Sequence, residues 1–116
     1  MSSGKERRQH VRVRPTADLA AEVRVAAQPP GMALMIADIS LGGIGVWVKR
    51  GVGFEPGARV NLRLTLAGHE LALEADVRHA NEDRTLAGME FVNLSDDAQK
   101  HINRFVSELV ERGSMA

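Results

Sequence analysis

Two short clusters hold side chains that could do chemistry: Arg7-Arg8-Gln9-His10-Val11-Arg12 and Asp38-Ile39-Ser40-Leu41-Gly42-Gly43. The first places three guanidinium groups within six residues. A guanidinium is a planar fork of donors that matches phosphate oxygens or the O6/N7 edge of guanine. Arg8 and Arg12, four residues apart, share one side of the chain in either extended or helical geometry, while Arg7 faces another way. The plain alternative is a solvated basic tail. The second cluster sets a carboxylate, a hydroxyl and two glycines where an apolar strand runs out. Asp38 and Ser40 alternate onto one face. A carboxylate accepts two parallel hydrogen bonds from the N1–H and N2–H2 groups of guanine, and a hydroxyl can serve a phosphate or a base atom. Gly42 and Gly43 permit positive φ and the close approach of a backbone or flat ring. The plain alternative here is an Asx or Ser turn between two strands. Side by side, the clusters suggest one compact anionic ligand held between a mobile set of cations and a fixed polar turn.

The elements that must position these groups show mostly period 2. Residues 1–16 read as a polar, charged arm closed by Pro15. A first strand is expected near Ala21–Ala27, ended by Pro29-Pro30-Gly31. Met32–Ile39, almost continuously apolar, reads as a central strand, and Gly43–Val48 follows with Ile44, Val46 and Val48 on one face. Gly51, Gly53, Pro56 and Gly57 mark a loop. Val60, Leu62, Leu64 and Leu66 then alternate with polar residues, as do Leu71, Leu73, Ala75 and Val77, and Ala67-Gly68 joins the two runs as a hairpin. Asn81-Glu82-Asp83 makes a further turn, and Thr85–Val92 forms a sixth strand with Met89 and Phe91 inward. Six short strands with no intervening helix argue for an antiparallel barrel or a strongly curled sheet. One helix closes the chain. Ser95 is its N-cap, Asp96 and Asp97 suit the positive end of its dipole, and Gly113 stops it. Its apolar stripe of Ala98, Ile102, Phe105, Val106, Leu109 and Val110 is expected to pack over an open end of the barrel, with a dimer seam as the rival.

A chain of 116 residues fits one compact domain, with 44% apolar and 26% charged residues typical of a soluble protein. The absence of cysteine excludes disulfides, thiolate metal sites and cysteine nucleophiles. No apolar run approaches a membrane span, and the basic start has no apolar stretch behind it, so a secretory signal is not expected and a cytoplasmic location fits. The formal net charge of zero conceals an asymmetry. Residues 1–14 carry Lys5, Arg7, Arg8, Arg12 and Arg14 against Glu6, a surplus of four positive charges that the remainder offsets with four negative ones. An acidic body repels a long phosphate backbone, which favours a small anion over nucleic acid.

Together the two clusters resemble the signature of the PilZ family, the bacterial receptors for cyclic diguanylate (c-di-GMP). The family pattern RRxxxR is met by Arg7, Arg8 and Arg12, and [DN]xSxxG by Asp38, Ser40 and Gly43. The run Gly88-Met89-Glu90-Phe91-Val92-Asn93-Leu94-Ser95 is similar to the family's last strand and helix entry. The resemblance implies an all-β fold: a split, six-stranded antiparallel barrel over residues 17–112, with one C-terminal helix, a flexible basic N-terminal arm at 1–16 and a tail at 113–116. It implies a receptor rather than an enzyme. Arg7, Arg8 and Arg12 would contact phosphates and guanine edges, with Asp38, Ser40 and Gly43 opposite, and Arg7 would favour a stacked ligand dimer. The output would pass to a protein partner in control of motility, exopolysaccharide or pilus function. The alternative is a PilZ-like adaptor that binds a partner and no nucleotide.

Weaker signals complete the reading. His10 could stack on a base, although a solvated histidine is the simpler account. Trp47 shares a face with Gly43, and barrel packing is expected of it, with ligand or partner contact as the alternative. His69, His79 and His101 show no metal-binding spacing, and Asp76 and His79 fall on opposite faces of a strand, so no metal site and no cofactor are expected. Ser40 has no base nearby in sequence. No nucleic-acid partner and no membrane insertion are expected, and the chain should be a monomer or a weak homodimer.

Overall fold

The computed structural model describes residues 11–25, 32–48, 54–80 and 86–116. Arg7, Arg8, His10 and the loops expected at 29–31, 51–53 and 81–83 lie outside them. Six strands run in the order β1 (Ala21–Val25), β2 (Met32–Ile39), β3 (Gly43–Trp47), β4 (Arg59–Leu66), β5 (His69–Ala80) and β6 (Leu86–Val92), followed by helix α1 (Asp96–Glu111). The strands close a barrel in the spatial order β1-β2-β3-β6-β5-β4, each neighbouring pair antiparallel. Alternation produces the closure. On β4, Leu62, Leu64 and Leu66 are buried while Arg59, Asn61 and Arg63 are exposed. Leu71, Leu73, Ala75 and Val77 do the same on β5. The β4–β5 turn has Ala67 at φ 49° and Gly68 at φ 88°. Two successive positive φ values match the right-handed strand twist and pin Leu66 opposite His69.

Two bulges interrupt the ladders, between Ile36 and Asp38 on β2 and between Val77 and His79 on β5. An extra residue in one strand re-aims the side chains beside it. The consequence on β5 corrects the parity expected for Asp76 and His79. Asp76 lies opposite Glu90 and His79 opposite Gly88, two residues apart on β6, so both point outward.

Helix α1 buries Ala98, Ile102, Phe105, Val106 and Leu109 in the same core as the barrel interior, while Val110, the sixth residue of the expected stripe, is exposed. The Ser95 side chain accepts the Ala98 N–H at 3.1 Å, and Gly113 at φ 76° ends the helix. Met89 and Phe91 face inward as expected. Trp47 does not: it is 49% exposed, beside cross-strand Met35 at 74%. Ile44 and Val46 occupy the inward positions of β3, which leaves the next position on the outer face. On the outer surface Arg59 Nε donates to Asp76 Oδ1 at 2.8 Å, and this bond holds the Asp76 carboxyl below the usual carboxylate range.

The arm is not free through residue 16. Val13 is 0% exposed and bridges Ile39 on one side and Met115 on the other. Its N–H donates to the Ile39 carbonyl at 2.9 Å and its carbonyl accepts the Ile39 N–H at 2.9 Å. Arg14 N–H donates to the Ser114 carbonyl and Ala116 N–H to the Arg12 carbonyl, so the C-terminal tail is paired with residues 12–14. Among the described residues no helix is long and apolar enough to cross a membrane.

Candidate functional site

The turn that ends β2 is built by Ser40. Its N–H donates to the Gly43 carbonyl at 2.8 Å, and its Oγ accepts the N–H groups of Gly42 and Gly43 at 3.2 Å each. The residue is 5% exposed, so the hydroxyl first holds the corner together. Its own proton has only a long, 3.5 Å contact with the Gly43 carbonyl and remains available to a ligand. Gly43 is needed for space rather than for positive φ. A Cβ at this position would stand 2.3 Å from the Met89 carbonyl oxygen, where β3 pairs with β6. Gly45, opposite Asp38, has a similar use, because a Cβ there would press on the carboxylate at 3.2 Å.

Asp38 sits just after the β2 bulge, and its Oδ1 accepts a hydrogen bond from Arg12 Nη1 at 2.9 Å. The antiparallel bridge of Val13 to Ile39 sets Arg12 opposite Ser40, from where its side chain reaches diagonally to Asp38. Both side chains keep contact with solvent. Arg12, Asp38, Ser40 and Gly43 are thus gathered at one corner of the barrel, while Arg7 and Arg8 lie outside the described residues.

A cleft of about 480 Å³ opens at this corner, lined by Arg12, Ser40, Gly42, Gly43 and Ile44 on one side and by Arg78, His79, Gly88, Met89 and Glu90 on the other. The volume is in the range of small-molecule sites. Arg78, His79 and Gly88 are residues that the sequence reading left out of the site. The β5 bulge turns Arg78 and His79 outward in succession, which strict alternation would forbid. Gly88 seats the imidazole, since a Cβ there would lie 2.4 Å from His79 Cε1 and Nε2. Arg78 Nε donates to Glu90 Oε1 at 2.6 Å and supplies a second guanidinium at the cleft. A second cleft of about 480 Å³ is lined by Arg14, Asp38, Trp47 and Leu86 among others. Arg12 borders the first cleft and Asp38 the second, so their ion pair links the two. Across the two clefts, three guanidiniums, an imidazole, two carboxylates and a flat indole suit an anionic ligand with planar rings.

The family model described as PilZ domain matches residues 6–108 of this chain. The chain belongs to the PilZ family. An uncharacterized protein of Aquifex aeolicus (strain VF5) is 37% identical to this PilZ domain over 103 residues, which is 87% of this chain and 48% of the relative. The chain therefore spans about half the length of that relative. Among solved structures, the c-di-GMP-bound PilZ domain of YcgR from Escherichia coli superposes with a TM-score of 0.71 at 15% identity, covering 92% of this chain and 94% of the other. The K. pneumonia MrkH–c-di-GMP complex gives 0.74 at 21% identity, covering 91% and 53%. The Bacillus subtilis inhibitor of motility, MotI, gives 0.67 at 23% identity, covering 92% and 51%. At these identities the likeness establishes the fold.

Proposed function

We propose that this PilZ domain is a c-di-GMP receptor that changes conformation on binding and relays the signal to a protein partner. The observation that carries the reading is the Arg12–Asp38 contact at 2.9 Å, which unites the two halves of the signature at one barrel corner. Binding then works as an exchange of partners. The Asp38 carboxylate gives up Arg12 and accepts the N1–H and N2–H2 groups of a guanine, while Arg12 turns to a phosphate or to the O6/N7 edge. An exposed ion pair contributes no more than about 1 kcal/mol, so breaking it costs little. Each charge-assisted contact made in return contributes roughly 1.5–3 kcal/mol.

Pinning of Val13 sets the reach of the remaining arginines. A chain of five residues spans at most about 18 Å between Cα atoms, and the Arg8 side chain adds its own length to that reach from Val13. Arg7 and Arg8 then close over the ligand from above, in keeping with a stacked pair of nucleotides. The domain does no catalysis in this scheme. Its product is a changed surface, and the solved relative named as an inhibitor of motility supports motility among the outputs, alongside exopolysaccharide and pilus control.

Calorimetric titration with c-di-GMP, with GTP and cyclic AMP as controls, tests the reading. Saturable binding at micromolar or lower Kd is expected for c-di-GMP alone, with Arg12→Ala weakening it by about ten-fold or more, equal to about 1.4 kcal/mol. No binding by the intact chain at high-micromolar c-di-GMP overturns it in favour of an adaptor that takes no nucleotide.

A further inference from the structure

A second set of donors lies outside the ligand clefts. His69 opens β5 directly after the Ala67-Gly68 turn, and Asp97 and His101 stand one turn apart near the start of α1. The imidazoles of His69 and His101 stack with centroids 3.7 Å apart and planes 18° from parallel. Asp97 Oδ1 lies 3.5 Å from His101 Nε2. One donor atom from each of the three residues falls within 4.8 Å of the other two.

We infer that His69, Asp97 and His101 form a surface site for a zinc-class divalent ion, with water completing the coordination. Two neutral imidazoles and a carboxylate are ordinary ligands for such an ion, and three protein ligands leave a fourth, open position. Tetrahedral bonds of about 2.0–2.1 Å place donors roughly 3.4 Å apart. The donor separations of up to 4.8 Å must therefore shorten by up to about 1.4 Å, and the stacked rings must rotate out of parallel so that both lone pairs aim at one point. His69 and Asp97 are exposed and His101 is half-buried, so the rotation meets little packing. None of the three side chains serves the core. The ion would tie the β4–β5 hairpin to α1 through His69 and Asp97, 28 residues apart in the chain, which no spacing rule for a single element detects.

The test uses the untagged full chain, stripped with a chelator and titrated with zinc alone, with magnesium as the control. One zinc per chain at micromolar or lower Kd is expected, together with a raised thermal midpoint. His69→Ala and His101→Ala should each weaken zinc binding by about ten-fold or more, and Asp97→Asn should weaken it as well. Asp96→Asn, which removes a neighbouring charge at the same helix end, should leave the affinity unchanged. Thermal midpoints without metal confirm that each variant is folded. Absence of saturable zinc binding, wild-type affinity in both histidine variants, or equal binding of magnesium overturns the assignment.

Discussion

Asp38 and Ser40 stand two positions apart and, with Gly43, carry half of the signature, yet their work divides. Ser40 Oγ satisfies two backbone N–H groups in a place that is 5% exposed. Removing it leaves those donors short of a partner, at a cost of about 1–3 kcal/mol. Among the described residues, Asp38 has one solvent-touched ion pair to lose, worth no more than about 1 kcal/mol. Urea denaturation should therefore rank Ser40→Ala well below Asp38→Ala in stability, while calorimetry shows Asp38→Ala weakening c-di-GMP binding by about ten-fold or more. Equal stability of Ser40→Ala and the parent would mean that the hydroxyl is held for the ligand alone. Sequence spacing cannot divide the two roles, because both residues fit a turn and both fit a ligand. The division needs the hydrogen-bond partners. Gly43 makes the same point, since its constraint comes from Met89 across the sheet and not from its own φ.

The strands and the helix were legible because their burial is periodic. Leu62, Leu64 and Leu66 report a face at period 2, and Ile102, Phe105, Val106 and Leu109 report one at helical spacing. Bulges break that logic, so Arg78 and His79 at the cleft were missed. Trp47 was misjudged because a large aromatic side chain suggests burial, whereas strand parity places it outside. Val13 was illegible for a different reason: it stands between Arg12 and Arg14, and nothing local shows that Ile39 and Met115 will enclose it. This one residue makes the base of the arm part of the barrel. Val13→Ala should lower stability by about 1.5–3 kcal/mol in denaturant unfolding. It should also weaken c-di-GMP binding, although the lost methyl groups do not belong to the polar ligand contacts, because the Arg12–Asp38 alignment depends on the bridge. Full affinity in a destabilised Val13→Ala variant would show that the ligand itself can order the segment.

Charge is arranged at the level of the whole molecule. The surplus of four positive charges in residues 1–14 faces a body with the opposite excess. On the outer barrel surface each described arginine of β4 and β5 already has a carboxylate: Arg59 with Asp76, Arg63 with Glu70, Arg78 with Glu90. Those paired strand arginines offer a polyanion little free charge, so the arm is the concentrated cationic segment that would attract one. A duplex engaged by all five basic groups of the arm, Lys5, Arg7, Arg8, Arg12 and Arg14, would lose about 500-fold in affinity between 50 and 200 mM salt. A ligand with two phosphates releases far fewer counterions, and its affinity should fall by at most about ten-fold over the same interval. Titrations of c-di-GMP at several salt concentrations, with duplex DNA in parallel, measure both slopes. A shallow slope for the dinucleotide and negligible duplex binding at physiological salt are expected. A steep slope shared by both ligands would mean that the arm binds phosphate wherever it finds it, and that the corner formed by Asp38, Ser40 and Gly43 selects nothing.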